Sequence, residues 1–237
     1  MRALLPLLFV GCATAAGESR AKTDDAPLVI ELFTSQGCSS CPSADALLDK
    51  LSRAGQLDGR TLAPLAFHVD YWDDLGWPDP YASAAWTERQ REYAHALGDK
   101  SVYTPELVIG GRTGMVGSHS LRVSQAIAAA PRQQRIAATG TWTSSALTVE
   151  ATAPAGANVF VAIWQDGTKT KIPRGENAGE TLAADRVVRK LVLVAAAGKT
   201  EKRTIKLDPG WKGHPLGAVA FAQKPDRAII GAALLPR

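Results

Sequence analysis

The sequence has little of several features that mark common functional classes. Its 237 residues contain three cysteines and four histidines, and its 27 Lys and Arg residues form no dense basic block. Binding of nucleic acid would require a basic stripe with interleaved aromatic side chains, so we expect no nucleic-acid partner despite the net charge of +4. No apolar run is long enough for a membrane span. With 46% hydrophobic residues, the composition is that of an ordinary globular chain.

The first residues are typical of an export signal rather than of a fold. Arg2 precedes an apolar run over residues 3–10, and small residues follow. Two processing routes remain open: a signal peptide over residues 1–16, cleaved at an Ala-Thr-Ala site, or a lipoprotein signal that ends before Cys12 and leaves it lipidated. Both remove Cys12 as a free thiol. We expect a periplasmic or secreted protein, tethered to the outer membrane if Cys12 carries a lipid.

The two halves of the remaining chain have different patterns. Over residues 27–131 strand-like runs alternate with helical patterns, which is typical of βαβ units and a parallel sheet. Over residues 135–237 about seven short strand-like runs are separated by turn signals, which favours a second, all-β domain of sandwich type. In the first half we predict strands over 27–34, 62–70 and 105–111 and helices over 43–55, 82–98 and 120–130.

Cys38 and Cys41 lie in "GCSSCPSAD", between a predicted strand and a predicted helix. A Cys-x-x-Cys at this place in a βαβ pattern indicates a thioredoxin-like redox motif. The free N–H groups and the dipole at a helix N-terminus stabilise a thiolate, so we expect a lowered pKa for the Cys38 thiol. Cys41 would then resolve a mixed disulfide formed on Cys38. This chemistry needs no cofactor besides the redox-active disulfide itself.

Two other roles for the cysteine pair remain open. Structural zinc usually needs a second pair of ligands, which the scattered histidines do not supply. Cys38 and Cys41 could instead bind a soft metal such as Cu(I), with His68 as a third ligand. The pair could also be an inert disulfide in a non-catalytic binding module whose β-rich domain recognises a partner.

Two further features are candidates for the same site. Thr104-Pro105 precedes a predicted strand, where a cis-proline would leave the backbone of Thr104 free to pair with a substrate peptide. The alternative is a trans proline that opens the strand. Glu31 lies in the strand before the cysteines, where burial would raise its pKa and allow it to relay the proton of Cys41. Pairing with an arginine, or solvation at the strand end, is the alternative for Glu31.

An acidic, aromatic stretch, "FHVDYWDDLGWPDPYAS", follows the second predicted strand. It should lie at the carboxyl edge of the sheet, where α/β proteins bind ligands. The candidates for a substrate groove are its aromatic side chains and one before the Thr-Pro pair, namely Tyr71, Trp72, Trp77 and Tyr103. The alternative is a loop whose aromatic side chains cover the edge of the core. A second long polar connection, "RGENAGETL", offers Arg174 or Glu176 for contact with the first half or with a partner, if it is more than a solvated linker.

Six stretches of the chain are similar to a family of secreted bacterial thioredoxin-like proteins known as domain of unknown function 1223. They are "ELFTSQGCSSCPSAD", "FHVDYWDDLGWPDPYAS", "TERQREYA", "VYTPELVIGG", "VGS" and "RGENAGETLAADRVVRKL". The resemblance implies an α/β thioredoxin-like N-terminal domain followed by an all-β sandwich-like C-terminal domain, and it implies action by Cys38, Cys41 and Pro105. From the Cys-x-x-Cys motif, the Thr-Pro pair and the export signal we predict an extracytoplasmic thiol–disulfide oxidoreductase that acts on protein thiols or disulfides, or on a small thiol.

Overall fold

The computed structural model describes residues 26–211 and 213–237, so the predicted signal segment and Cys12 lie outside the described residues. Within those ranges the chain forms three α-helices and fifteen β-strands. The helices are α1 (Pro42–Ala54), α2 (Ala84–Leu97) and α3 (Ser120–Ala129), and the strands are β1 (Leu28–Thr34), β2 (Gln56–Leu57), β3 (Arg60–His68), β4 (Glu106–Ile109), β5 (Thr113–Val116), β6 (Gln134–Arg135), β7 (Ala138–Trp142), β8 (Ala146–Thr152), β9 (Asn158–Gln165), β10 (Thr168–Lys171), β11 (Thr181–Ala184), β12 (Val187–Ala195), β13 (Thr200–Lys206), β14 (Leu216–Gln223) and β15 (Ile229–Leu234). No helix in these two ranges has the length and the apolar character needed to cross a membrane.

One mixed sheet of ten strands runs through both halves of the chain. Its order is β5-β4-β1-β3-β12-β9-β14-β15-β6, and β2 pairs with β3 beside this path. β1 pairs in parallel with β3 and antiparallel with β4. The halves join where β3 meets β12, since the N–H of Ala66 donates to the carbonyl oxygen of Arg186 over 2.9 Å. The strands outside this sheet form a three-stranded sheet, β13-β8-β7, and the hairpin β10-β11.

The predicted fold class, an α/β thioredoxin-like domain followed by an all-β sandwich-like domain, is wrong. Strands make up 41% of the described residues and helices 20%, and the principal sheet belongs to both halves. The physical reason lies in β3, which is buried along most of its length and pairs with β1 at one edge and β12 at the other. The hydrophobic pattern of the sequence identifies a strand, but it does not show which other strands will pair with that strand. The predicted limits of the two segments, 27–131 and 135–237, stay a prediction, because a shared sheet draws no boundary between them.

The first strand separates two layers of core. Leu28, Ile30 and Leu32 pack against α1 and α3, while Val29 and Phe33 join the cluster that contains Tyr93 of α2. Alternation of side chains along a strand places the two sets on opposite faces of the sheet. That second cluster also takes residues of β9, β12, β14 and β15, so the core continues across the two halves. Because β1 and β3 run parallel, the loops that follow these two strands lie at the same end of the sheet.

Candidate functional site

The cysteines form a disulfide between β1 and α1. Cys41 stands at the N-cap of α1, and Pro42 follows at the first helical position, where its missing N–H costs nothing. Both cysteines are 0% exposed, although Ser39 and Ser40 between them are exposed. The disulfide therefore lies beside a helix N-terminus, but Cys41 rather than the predicted Cys38 stands at the N-cap, and Cys38 precedes it by three residues. Solvent does not reach the sulfur atoms in this conformation.

Residues 35–41, which we call the cysteine turn, are held by short contacts. The N–H of Cys38 donates to the carbonyl oxygen of Ser35 (3.2 Å), and the N–H of Gly37 donates to Oγ of Ser35 (3.0 Å). A Cβ atom added to Gly37 would lie 3.1 Å from Cβ of Trp72. Because Gly37 has no side chain, Trp72 can approach the cysteine turn closely. Trp72 belongs to residues 67–83, which begin at the end of β3 and which we call the aromatic loop.

A cluster of titratable side chains lies under the cysteine turn. Thr34 donates through its hydroxyl to Oδ1 of Asp45 (2.8 Å), and Nδ1 of His68 lies 2.6 Å from Oδ2 of Asp79. The same Asp79 oxygen accepts the N–H of Gln36 (2.8 Å), which ties the His68–Asp79 pair to the cysteine turn. Nε2 of His68 is buried and has no hydrogen-bond partner within the described residues.

Burial and charge shift the pKa values in this cluster. Burial raises the pKa of Asp45 to about 6, an effect that His68 and the Thr34 hydroxyl partly oppose. Burial disfavours the charged form of His68, but the charge and hydrogen bond of the adjacent Asp79 carboxylate, together with the charge of Asp45, raise the pKa of His68. Burial also works against the Asp79 carboxylate, yet His68 and the hydrogen bond from Gln36 hold the pKa of Asp79 below its usual range. The pKa of Asp45 thus lies within reach of neutral pH.

Asp45 is the carboxyl nearest to the cysteines along α1. It follows Cys41 by four residues, and its N–H donates to the carbonyl oxygen of Cys41 (3.1 Å). Side chains four residues apart lie on the same face of a helix. This spacing makes Asp45 the candidate on α1 for proton exchange with the Cys41 thiol.

Glu31 does not meet the cysteines. Its side chain is fully buried on the face of β1 that turns towards α2, whereas α1 packs on the other face. Nε of Arg89 donates to Oε1 of Glu31 (2.8 Å), and the hydroxyl of Tyr93 donates to Oε2. Gln223 of β14 joins this network through Arg89 and Tyr93. The arginine-paired alternative for Glu31 is therefore the one that the structure contains.

Thr104 and Pro105 lie at the same end of the sheet as the cysteine turn. The peptide bond between them is cis. β4 starts directly after them, with Glu106 opposite Phe33 of β1. Oγ1 of Thr104 accepts a hydrogen bond from Nε1 of Trp72 (2.8 Å). The aromatic loop thus connects the Thr-Pro pair with the cysteine turn.

The four predicted aromatic side chains divide into two pairs. Trp72 contacts Thr104 and the cysteine turn, and Nε1 of Trp77 donates to the side-chain oxygen of Gln36 (3.2 Å), so both tryptophans border that turn. Gln90 of α2 instead accepts the hydroxyl hydrogen of Tyr71 and donates to the carbonyl oxygen of Tyr103. Burial raises the pKa of both tyrosines to about 12, so they stay protonated at neutral pH.

Asn177, in the second half of the chain, contacts the cysteine turn but is not among the predicted site residues. Nδ2 of Asn177 donates to the carbonyl oxygens of Gln36 (2.9 Å) and Cys38 (3.0 Å). Glu176, which the sequence does single out, accepts the N–H of Ser39 (3.0 Å). These residues belong to the connection between β10 and β11. The sequence does not indicate the role of Asn177, because a polar residue in a polar loop is normally expected to face solvent.

Within the described ranges, no group of three or more His, Cys, Asp and Glu side chains is arranged to hold a metal ion. His68 is accordingly not grouped with Cys38 and Cys41 as a ligand set; its Nδ1 faces Asp79. The Cu(I) alternative stays a prediction.

The fold and the site define a protein with a large mixed sheet and a buried Cys-x-x-Cys disulfide at a helix N-terminus. Residues 29–223 match the family described as "Protein of unknown function (DUF1223)", and the chain belongs to that family, as the resemblance predicted. No curated protein matches the chain.

Two solved structures are similar to this chain. The crystal structure of protein AGR_C_4864 from Agrobacterium tumefaciens is 29% identical, with a TM-score of 0.64 over 89% of this chain and 94% of that chain. HBP35 of Porphyromonas gingivalis is 12% identical, with a TM-score of 0.57 over 89% of this chain and 74% of that chain. The likeness to HBP35 concerns the fold alone.

Proposed function

We propose that this protein is a thiol–disulfide oxidoreductase that works outside the cytoplasm, on protein thiols or disulfides or on a small thiol. The observation that carries the proposal is the Cys38–Cys41 disulfide at the N-terminus of α1, with the titratable carboxyl of Asp45 one turn further on. The export pattern at the start of the sequence supports a periplasmic or secreted location, where such disulfides persist. A lipid on Cys12 would tether the same protein to a membrane.

The proposed reaction is two successive exchanges. A substrate thiolate attacks Sγ of Cys38, a substrate–Cys38 disulfide forms, the Cys38–Cys41 bond breaks, and Cys41 leaves as a thiolate that takes up a proton. A second substrate thiolate then attacks the substrate sulfur and releases Cys38 as a thiolate, which takes up the second proton. Two substrate thiols thereby lose two electrons and two protons and become a disulfide, while the protein disulfide becomes a dithiol. The reverse sequence reduces a substrate disulfide.

Asp45 supplies the proton transfer in this scheme, in place of Glu31. It donates a proton to the Cys41 thiolate when the protein disulfide opens, and it accepts that proton when the disulfide closes. A pKa of about 6 suits this exchange, because general acids and bases work best when their pKa lies near the working pH.

Asp45→Asn is expected to slow closure of the Cys38–Cys41 disulfide by about 100-fold, since a positioned general base contributes at least that factor. In the unaltered protein the closure rate should rise with pH through about 6, as Asp45 loses its proton, and the variant should lack this step. Stopped-flow measurement of oxidation between about pH 4 and 8 provides the check. Asp49→Asn, one turn further along α1, is the matched control and should keep the step. A step near pH 6 that survives in Asp45→Asn would remove Asp45 from the mechanism.

The reduction potential of the cysteine pair tests the function itself. Equilibration of the protein in glutathione buffers, followed by trapping of free thiols, should give a potential of about −230 mV or higher, the range of glutaredoxins and protein disulfide isomerase. A potential below about −300 mV is that of a structural disulfide, and it would contradict the proposed function.

A further inference from the structure

A disulfide that exchanges with a substrate has to be accessible to the sulfur atom of that substrate. Here a segment that is distant in the sequence is hydrogen-bonded to the main chain around Cys38. We call residues 174–178 the cover segment. Among these residues Asn177 is buried, at 7% exposure, and the other four are exposed. Asn177 and Glu176 make the three hydrogen bonds from this segment to the cysteine turn. The main chain on both sides of the buried Cys38 side chain is therefore bound by a segment from the other half of the chain.

Every hydrogen bond from the cover segment to the cysteine turn ends on a main-chain group of that turn. These groups are the carbonyl oxygens of Gln36 and Cys38 and the N–H of Ser39. The partner of the two carbonyls is the amide NH₂ of Asn177, which has the same donor chemistry as a peptide N–H. The partner of the Ser39 N–H is a carboxylate oxygen of Glu176, an acceptor as a peptide carbonyl is. A polypeptide strand laid along the turn would satisfy the same three groups.

The cover segment is attached so that it can leave as a unit. It forms the tip of the β10-β11 hairpin, and its own backbone bonds are local: Ala178 N–H to Gly175 O (3.1 Å) and Gly179 N–H to Ile172 O (2.8 Å). Gly175 and Gly179 have positive φ angles, and a Cβ at Gly179 would meet nothing within 4 Å. Displacing this tip breaks the hydrogen bonds of Glu176 and Asn177 and the close approach of Gly175 to Trp77, where a Cβ added to Gly175 would lie 3.1 Å from Cβ of Trp77. The paired strands β10 and β11 need not separate when the tip moves.

We propose that the cover segment occupies the binding site of a polypeptide substrate, and that a cysteine-containing polypeptide displaces it to reach Cys38. This inference rests on the proposed function and names its substrate class. Main-chain N–H groups of the substrate replace Asn177 at the Gln36 and Cys38 carbonyls, and a main-chain carbonyl replaces Glu176 at the Ser39 N–H. A small thiol offers too few of these groups to displace the segment, so it reacts only when the segment has opened by itself.

Asn177→Ala tests the cover. Reduction of the disulfide by the small reductant dithiothreitol, followed by thiol trapping, should be about tenfold faster in the variant, since each neutral hydrogen bond lost shifts the opening equilibrium severalfold. Asn177→Asp keeps the side-chain volume but removes the amide donor, so it should give a similar gain without a cavity. The control is Glu180→Gln, an exposed residue of the same connection, which should react at the unaltered rate. Equal dithiothreitol rates in all four proteins would overturn the proposal.

A second measurement tests the substrate class. A reduced, unfolded polypeptide with one cysteine should form a mixed disulfide with the unaltered protein faster than glutathione does. In Asn177→Ala the difference between the two rates should be smaller, mainly because the reaction with glutathione becomes faster. An advantage for glutathione in the unaltered protein would contradict a polypeptide site. The reduction potential separates the two proposals: a potential below about −300 mV removes the oxidoreductase function, while the dithiothreitol rates still report whether residues 174–178 cover the disulfide.

Discussion

Replacing Cys38 by serine is expected to reduce thiol–disulfide exchange to the uncatalysed background rate. The serine hydroxyl does not ionise near neutral pH, so it forms neither a nucleophile nor a disulfide, and Cys41 is left as a single buried thiol. The measurement is the rate at which the protein catalyses reduction of a disulfide-bonded protein by dithiothreitol. The expected loss of activity exceeds that of Asp45→Asn, because the attacking sulfur itself is removed.

Cys41→Ser is the matched variant for this experiment. It keeps Cys38 and should form a mixed disulfide with the substrate that persists, because no second cysteine is present to resolve it. The trapped species can be identified by mass spectrometry. Turnover by Cys38→Ser at a substantial fraction of the unaltered rate would place the activity elsewhere and refute the assignment.

Arg89→Met is expected to lower the free energy of unfolding by about 3–5 kcal/mol, the usual cost of breaking a buried ion pair from one side. Arg89 is 4% exposed and Glu31 is 0% exposed, so the variant leaves a buried carboxylate without its cation. The Arg89 guanidinium also makes cation–π contacts with the rings of Phe67, Tyr93 and Phe221. Urea unfolding followed by tryptophan fluorescence measures the change.

Arg91→Met, two residues further along α2, is the control. Its guanidinium pairs with Glu88 at 3.4 Å, and both side chains are mostly exposed, so the loss should stay within about 1 kcal/mol. The double variant Arg89→Met with Glu31→Leu should recover much of the lost stability, because no unpaired charge remains buried. Equal effects of Arg89→Met and Arg91→Met would show that the buried pair contributes little.

The Glu31–Arg89 pair has a structural consequence beyond its own stability. Through Gln223 the network joins β1 and α2 of the first half with β14 of the second half. The cover segment also joins the halves, at the cysteine turn. The second half of the chain is therefore part of the proposed redox site, and a fragment ending near residue 131 would lose both the sheet partner of β3 and the cover of its disulfide.

The helices of the first half follow closely from local patterns. We predicted helices over 43–55, 82–98 and 120–130, and the structure has them at Pro42–Ala54, Ala84–Leu97 and Ser120–Ala129. Their ends depend on nearby residues: Gly55 and Gly98 adopt the left-handed conformation that closes a helix. The place of the cysteine pair before α1 follows from the same local information.

The face occupied by each buried polar residue does not follow from local patterns. Alternation along β1 shows that Glu31 and Leu32 point to opposite faces, but it does not show which face carries α1. That choice decides between contact with Cys41 and contact with Arg89, which lies 58 positions away. The candidate proton carrier is consequently Asp45 of α1 rather than Glu31.

The sequence by itself determined the cysteine pair, the helix that it precedes, the cis-capable Thr-Pro pair and the membership of the family, since these depend on residues within a few positions of one another. The tertiary structure decided that β3 pairs with β12, that both halves share one sheet, and that Asn177 binds the carbonyl oxygen of Cys38 from 139 positions away. Pairing of strand edges and hydrogen bonds between distant loops depend on which surfaces meet in the folded chain, and they leave no periodic trace along it.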